Sequence, residues 1–350
     1  MTTQFVTTTE KGIKTEDVKR ASDILKTGGL VAFPTETVYG LGGDALNPEA
    51  ATKIYAAKGR PSDNPLIVHI AEYNQLQQLC TDIPESASKL AEAFWPGPLT
   101  MILKKSELVP HTTTGGLDTV AVRMPAHPVA LQLIRESNVM IAAPSANTSG
   151  RPSPTKASHV REDLDGKIDM IIDGGSVQIG LESTIVDLTG EDYTILRPGY
   201  ITAEDISEVL DARVEIDKAI IDTNSGIKPK APGMKYRHYA PKASLTIVEG
   251  DLDRVSQCIL NKCDEGAKEG KRIGVIATAQ TFDLYRADVV YSVGDRNHEE
   301  EIAANLFDIL RKFDEEEVDE IYSESLLTPH LGQAIMNRLL KAAGHKVIEV

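Results

Sequence analysis

The fold of this 350-residue chain is decided by residues 15–43, which read TEDVKRASDILKTGGLVAFPTETVYGLGG. In the first part, apolar residues recur every three or four positions, which predicts a helix over Thr15–Lys26 with Thr15 as its N-cap. Two glycines then end the helix. The continuously apolar residues 30–33 predict a short strand that is covered on both faces. A helix that leads into a buried strand is typical of an α/β fold.

The same two patterns alternate through the rest of the chain. Further buried strands are predicted at residues 66–70, 99–103, 119–123 and 183–187, with helices at residues 48–57, 84–94 and 128–136. Later strands at residues 245–248, 273–277 and 289–293 alternate with helices at residues 252–263, 299–313 and 332–343. We therefore predict an α/β protein with a twisted mixed sheet over residues 1–216 and a smaller Rossmann-like three-layer α/β domain over residues 243–350.

Residues 217–242 differ in composition from both predicted domains. They hold six lysine or arginine residues against two aspartates, and prolines and glycines interrupt any regular element. This composition predicts a linker. The cations and aromatic residues at 234–239, His238 among them, further predict a lid over the active site. An exposed basic spacer is the alternative that composition leaves open.

The charge and cysteine content exclude several classes of protein. The net charge is -15, with 52 acidic residues against 37 basic ones, which argues against a broad surface for nucleic acid. The three cysteines lack the spacing of a disulfide framework or a zinc module. The polar N-terminus and the short apolar runs predict neither a signal peptide nor a membrane span, so we expect a cytoplasmic protein.

Two clusters of polar residues in the first half carry candidate chemistry. Residues 34–43 place hydroxyls and a glycine-rich turn after a buried strand, which suits either a ligand or a plain turn. Residues 58–65 begin with Lys58 and Arg60 around a flexible glycine and also contain Ser62. Two cations of different shape can neutralise and orient a polyphosphate, although a solvated basic loop would have the same composition.

Two more clusters follow along the chain. Arg123 ends an apolar strand, where its guanidinium needs an anion, and either the carboxylate of a free amino acid or an internal Asp or Glu would serve. The second cluster joins small residues to hydroxyl and amide groups between residues 141 and 153, along which a nucleotide could lie. Ser183 adds another hydroxyl at a strand edge, and Arg197 another cation that suits phosphate.

Several familiar catalytic motifs do not occur in the sequence. It has no phosphate-binding G-x-x-x-x-G-K-[ST] loop, no H-E-x-x-H, no C-x-x-C pair and no G-x-S-x-G elbow. The sequence therefore predicts neither a covalent nucleophile nor a protein metal site.

Taken in this order, the clusters resemble the signature of the YrdC-type threonylcarbamoyl-adenylate synthases, in their long two-domain form. Residues 58–60 match the K-x-R motif of that family, and residues 145–147 match its S-x-N motif. Residues 231–241 resemble the peptide that joins its two domains. The resemblance implies a YrdC-like catalytic domain over residues 1–216.

The resemblance also implies the binding roles. Side chains that contact L-threonine would be Thr35, His69, Arg123 and Ser183, together with the backbone near Ala143. Groups around ATP would be Lys58, Arg60, Ser62, Thr119, Ser145, Asn147, Ser153 and Arg197, with Lys58 and Arg60 as the catalytic cations. His238 of the predicted lid would also contribute to ATP binding.

The implied reaction is that of a nucleotidyltransferase. L-threonine takes up bicarbonate to form a carbamate, which attacks the α-phosphate of ATP and expels pyrophosphate, with Mg²⁺ carried by the nucleotide. The product, threonylcarbamoyl-AMP, is the first intermediate toward threonylcarbamoyladenosine in tRNA. Separate transferase proteins would be the downstream partners, so direct RNA binding is expected to be weak or absent.

Two other functions compete with this one. An RNA-binding module would use a concave face of such a fold, but it should carry a basic surplus. A carbamoyl transferase of hydrogenase maturation carries a related module, but such chains also bear zinc-finger cysteines, which three scattered cysteines cannot supply.

Overall fold

The computed structural model describes residues 2–8, 12–217, 231, 238–326 and 328–350. The chain divides into two compact units. The first consists of Met1–Ser149 and Ser153–Lys235, and the second of Gly150–Pro152 and Tyr236–Val350. The predicted division at residues 216 and 243, with a lid between, stays a prediction, because residues 218–230 and 232–237 lie outside the described residues.

The first unit is built on twelve strands and seven helices in its described residues. The strands are β1 (Gln4–Thr7), β2 (Val31–Phe33), β3 (Gly40–Asp44), β4 (Ile67–His69), β5 (Cys80–Asp82), β6 (Leu99–Lys105), β7 (Thr119–Arg123), β8 (Ile141–Ala142), β9 (Met170–Asp173), β10 (Thr184–Asp187), β11 (Tyr193–Arg197) and β12 (Val214–Ile216). The helices are α1 (Thr15–Lys26), α2 (Pro48–Lys58), α3 (Leu76–Leu79), α4 (Glu85–Phe94), α5 (Pro128–Ser137), α6 (Ala157–Leu164) and α7 (Ala203–Leu210).

All twelve strands form one mixed sheet. Its order is β1-β9-β2-β3-β8-β4-β7-β6-β10-β11-β12, and β5 pairs with β6 outside this path. The α/β class and the mixed sheet are therefore confirmed. One apolar cluster, which includes Phe33 and Ile141, covers one face of β2 and β8 with α1 and α5. A larger cluster, which includes Val68 and Val122, covers the other face.

Two local predictions are wrong. Helix α1 spans the predicted residues, but its N-cap is Lys14, and Thr15 is the first helical residue. The glycine-rich stretch predicted as a turn is strand β3, antiparallel to β2. A Cβ on Gly42 would lie 2.6 Å from the Ile141 side chain and 2.7 Å from the Phe33 ring. Glycine is used here because neighbouring side chains pack against the strand itself.

The second unit contains a parallel sheet of five strands. These are β13 (Ser244–Glu249), β14 (Ile273–Ala277), β15 (Val289–Ser292), β16 (Glu320–Glu324) and β17 (Val347–Glu349), in the order β15-β14-β16-β13-β17. The helices are α8 (Leu252–Glu269), α9 (Glu299–Glu315) and α10 (Gly332–Ala343). Helix α8 packs on the face that carries Val275, while Phe313 of α9 lies against Gly274, which faces the opposite way. The three predicted layers are present.

Residues 150–152 contribute contacts to this second unit. The backbone oxygen of Pro152 accepts hydrogen bonds from Nε and Nη2 of Arg311, at 3.1 and 2.6 Å. Arg151 forms an ion pair with Asp314 at 3.3 Å. In the described part of the chain, no helix has the length and apolar character that crossing a membrane requires.

Candidate active site

Three neighbouring strands bring polar side chains to one place in the first sheet. Strands β4 and β7 are parallel and pair His69 with Arg123, and the antiparallel β6 pairs Thr100 with Arg123. Directly paired residues project to the same face of a sheet. His69, Arg123 and Thr100 therefore stand side by side on one face, and all three are buried.

Arg123 has three described partners. Its Nε donates to the backbone oxygen of Gly97 at 3.2 Å, its Nη1 donates to the Thr37 hydroxyl at 2.9 Å, and its Nη2 donates to Oε1 of Glu36. Of the two anions that the sequence allowed for Arg123, the structure contains the internal acid, Glu36. A guanidinium has five N–H donors, so among the described residues one donor on each terminal nitrogen remains for a ligand.

Glu36 is ionised in this environment. Burial acts to raise the pKa of its carboxyl group, but the charge and hydrogen bond of Arg123 oppose it, and the net pKa is lowered. The backbone N–H groups of Glu36 and Ala126 also lower this pKa, although neither makes a hydrogen bond of normal geometry to Oε2. Within the described residues Oε2 has no hydrogen-bond partner, and it is fully shielded from solvent.

His69 is held neutral next to this pair. Burial, followed by the positive charge of Arg123, lowers the pKa of His69 to about 3. Its Nδ1 lies 3.2 Å from the backbone oxygen of Ile67, and the ring meets Phe33 edge-on with centroids 6.3 Å apart. A neutral imidazole in this position offers hydrogen bonding without adding charge to the site.

Ser183 lies directly before β10 and joins this group to Arg197. Its hydroxyl is 2.8 Å from the Thr100 hydroxyl and accepts a hydrogen bond from Nη2 of Arg197 at 3.1 Å. The Nε of Arg197 also donates to the backbone oxygen of Ser183 at 3.0 Å. A predicted threonine contact and a predicted ATP contact are therefore neighbours.

A second group forms around Lys58 at the end of α2. Its Nζ donates to the backbone oxygens of Ser145 and Asn147, the latter at 2.5 Å, and the Ser145 hydroxyl donates to the Asn147 side chain at 2.5 Å. The K-x-R and S-x-N motifs, far apart in sequence, thus meet through Lys58. The second cation of the motif, Arg60, donates to the backbone oxygens of Asn64 and Pro65 at 3.2 and 3.0 Å and so shapes the loop after α2.

Other predicted residues hold the backbone or lie apart. The Thr35 hydroxyl is 2.8 Å from that of Thr37 and donates to the backbone oxygen of Val38 at 2.6 Å, which fixes the turn after β2. The N–H of Ala143 donates to the backbone oxygen of Ile67 at 2.8 Å. Ser62 is exposed. Thr119 begins the strand that Arg123 ends, so the two are roughly 13 Å apart. His238 belongs to the second unit.

The apolar residues of the same strands form a second half of this face. Side chains two positions apart on a strand share a face. An apolar cluster holds Ile67, Ala121, Ile102 and Ile185, each two positions from His69, Arg123, Thr100 and Ser183 respectively. The same cluster contains Ala231, whose side chain is fully buried. The chain therefore returns to this face of the sheet within the linker, at Ala231.

Three residues that contribute to this group were not predicted from the sequence. Glu36 pairs with Arg123, Thr100 joins Arg123 to Ser183, and Glu182 accepts a hydrogen bond from the Ser153 hydroxyl at 2.5 Å. A lone threonine in the apolar strand β6 was a usable signal, because strands that are buried on both faces rarely carry polar residues without a partner. The two glutamates adjoin predicted residues, but nothing in the sequence indicated which way they point.

Buried cations beside hydroxyl groups are suited to small anionic ligands, so the fold and site are those of an α/β protein of this class. Comparison with known proteins identifies the family within this class. A family described as "Telomere recombination" matches residues 23–199, and one described as "Threonylcarbamoyl-AMP synthase, C-terminal domain" matches residues 201–344. The chain is 52% identical to the threonylcarbamoyl-AMP synthase of Pyrococcus abyssi, across 95% of this chain and 96% of that protein. It is 51% identical to the one of Bacillus subtilis, across 98% of both.

A solved structure supports the same conclusion. The crystal structure of P. abyssi Sua5 complexed with L-threonine superposes with a TM-score of 0.95 at 51% identity, across 99% of this chain and all of that one. This chain belongs to the threonylcarbamoyl-AMP synthase family, in its two-domain form.

Proposed function

We propose that this protein condenses L-threonine, bicarbonate and ATP into threonylcarbamoyl-AMP, with release of pyrophosphate and water. The single observation that carries the proposal is that two polar groups adjoin neighbouring strands of one sheet, since β4 pairs with β7, which carries Arg123, and with β8, which leads to Ser145. The first surrounds Arg123 and Ser183, and the second joins Lys58 to residues 145–147. The relatives that match over the whole chain are named for this activity, and one was crystallised with L-threonine.

The amino acid is assigned to the group on β4 and β7. Arg123 retains donors for a carboxylate, Ser183 supplies a hydroxyl, and neutral His69 lies beside them. Thr35 orders the turn that carries Glu36 and Thr37, and the backbone around Ala143 forms one wall. These assignments support a pocket for a small polar zwitterion.

The nucleotide is assigned to the group around Lys58. Lys58, Arg60 and Arg197 supply positive charge for the phosphates, and Ser145, Asn147 and Ser153 supply neutral hydrogen-bonding groups. Ser62 and Thr119 are also proposed to contact ATP. The contact of His238 with ATP stays a prediction, because His238 belongs to the second unit and residues 232–237 lie outside the described residues.

The protein acts in this proposal by binding, orientation and charge. Threonine's amine adds to carbon dioxide derived from bicarbonate, and a carbamate oxygen attacks the α-phosphate as pyrophosphate leaves, which makes the protein a nucleotidyltransferase. Preorganised cations stabilise the negative charge that develops on the phosphates. The described residues contain no group of three or more His, Cys, Asp or Glu that could hold a metal ion. Mg²⁺ would enter with ATP, and we assign no step to it.

We further propose the setting of this activity. The product would pass in the cytoplasm to separate proteins that transfer threonylcarbamoyl to adenosine in tRNA, with little direct RNA binding by this chain. The second unit, with its five parallel strands, is proposed to be Rossmann-like. The linker is proposed as a lid, supported by Ala231, which packs onto the apolar half of the site face.

The decisive experiment is the stoichiometric release of pyrophosphate from ATP. We expect release only when L-threonine and bicarbonate are both present, because the carbamate is the attacking species. Equal release in degassed buffer without bicarbonate would contradict the proposal. Serine, which lacks the threonine methyl group, should react with a kcat/KM that is lower by roughly fivefold, since one methyl contact contributes about 1 kcal/mol.

A further inference from the structure

The carboxylate of Glu36 is a buried ionised group that the proposed reaction leaves without a role. It pairs with Arg123 through Oε1, and its other oxygen has no hydrogen-bond partner among the described residues. Glu36 is only 6% exposed. A buried charged acceptor without a donor is costly and uncommon in native proteins. A donor supplied by a bound ligand would remove this cost.

The charges around Glu36 define what that donor can be. Arg123 carries a positive charge, Glu36 a negative one, and His69 is neutral because burial lowers its pKa. His127 also faces Glu36, and burial lowers the pKa of its ring as well. This part of the site therefore holds one cation and one anion side by side.

A free α-amino acid carries the complementary pair of charges, a carboxylate and an ammonium group bonded to the same α-carbon. We propose that Glu36 is a specificity residue for the substrate, whose Oε2 accepts a hydrogen bond from the α-ammonium group while Arg123 binds the carboxylate. The inference rests on the proposed function, because it takes an amino acid as the substrate. The ammonium of the free amino acid and the single N–H of its carbamate are both donors, so the contact persists after bicarbonate is taken up.

A structural role for Glu36 makes a different prediction. If Glu36 only orients Arg123, its removal weakens every carboxylate ligand by the same factor. If Oε2 binds the ammonium, its removal weakens only ligands that carry an amine. Ligands without the amine would bind as well as before, or more tightly, because Arg123 would no longer be neutralised by an internal acid.

The test compares two ligands on two proteins. Isothermal titration of the full chain measures the dissociation constants of L-threonine and of (R)-3-hydroxybutanoate, which is the same acid without its amino group. We expect the wild-type protein to prefer L-threonine by about 30-fold, as a charge-assisted hydrogen bond contributes about 2 kcal/mol. In Glu36→Gln this preference should fall below about threefold, with (R)-3-hydroxybutanoate bound at least as tightly as by the wild-type protein.

Two further variants serve as controls for the titrations. Glu72→Gln removes the carboxylate from an exposed ion pair with Arg135 and should leave both dissociation constants unchanged. Glu36→Asp keeps the charge, but its shorter side chain moves the carboxylate oxygen away from the ligand. Its preference for L-threonine over (R)-3-hydroxybutanoate should therefore lie between those of the wild-type protein and Glu36→Gln. If Glu36→Gln does not fold, the wild-type and Glu36→Asp measurements decide the question.

Several results would overturn the assignment. It is wrong if wild type binds the two ligands equally, or if either Glu36 variant weakens both by the same factor. It is also wrong if Glu36→Gln binds L-threonine as wild type does. Each of these outcomes leaves the proposed function standing, because threonine still binds. An intact protein that does not bind L-threonine would overturn the proposed function together with this inference.

Discussion

The neutral state of buried His69 makes the stability of the first unit depend on pH in a predictable direction. Its folded pKa of about 3 lies below the unfolded value of 6.5, because burial and then Arg123 disfavour the charged ring. As the pH falls, the His69 ring is therefore protonated in the unfolded chain before it is protonated in the folded protein. Stability from this residue is fully present above pH 6.5 and is lost as the pH falls toward 3.

The size of the effect follows from the same two values. Each pH unit within that window changes the free energy of unfolding by about 1.4 kcal/mol, so lowering the pH from 7.5 to 5.0 costs about 2 kcal/mol through His69. His69→Asn removes the titrating ring but keeps a donor toward the backbone oxygen of Ile67. Other titrating groups are shared by both proteins and cancel in the comparison.

The assay uses the only tryptophan of the chain. Trp95 is buried in the first unit, and its ring nitrogen donates to the backbone oxygen of Leu99 at 2.7 Å. Urea unfolding followed by its fluorescence therefore reports on this unit. Wild type should lose about 2 kcal/mol more than His69→Asn between pH 7.5 and 5.0. Equal losses, or an NMR signal of the His69 ring with a midpoint near 6.5, would refute the reasoning.

Three further predictions address the two ligand groups, the sheet and the linker. Arg123→Ala should weaken L-threonine binding far more than ATP binding, and Lys58→Ala should do the reverse, each by about 2–5 kcal/mol in calorimetric titrations; loss of the same ligand in both would mean the roles are misassigned. Gly42→Ala should lower the free energy of unfolding by about 1–3 kcal/mol through overpacking. Gly190→Ala should change it little, because the added Cβ would meet its nearest atom at an ordinary 3.5 Å. Equal stabilities of the two variants would disprove the packing argument. Ala231→Asp should detach the linker from the apolar cluster and lower the rate of adenylate formation without weakening threonine binding, and an unchanged rate would speak for a passive spacer.

Much of the fold was predictable because its helices and buried strands repeat simple patterns. Helix α10 and strands β7 and β14 begin and end at the predicted residues. Strand β3 was not predictable, because glycine has low strand propensity and its use depends on side chains far away in sequence. Local sequence patterns predict local structure, but they do not predict close packing between strands that are distant in sequence.

For the candidate site, the sequence indicated residue types and positions but not the contacts between them. Arg123 at a strand end and Lys58 after a helix could be found from residue type and position. The partner of Arg123 could not, because Glu36 lies 87 positions away and its direction depends on the turn that Thr35 holds. The sequence therefore identified which groups need a counter-charge, while the fold determined which group supplies it.

The three residues 150–152 have a practical consequence for dividing this protein. They belong to the second unit although the residues on both sides of them belong to the first. A fragment that begins at residue 236 would lack the Pro152 oxygen, and the buried guanidinium of Arg311 would lose two hydrogen bonds. A single cut within the linker therefore does not produce two intact pieces. To keep these hydrogen bonds, an isolated second unit needs residues 150–152, either as a separate peptide or joined to its own chain.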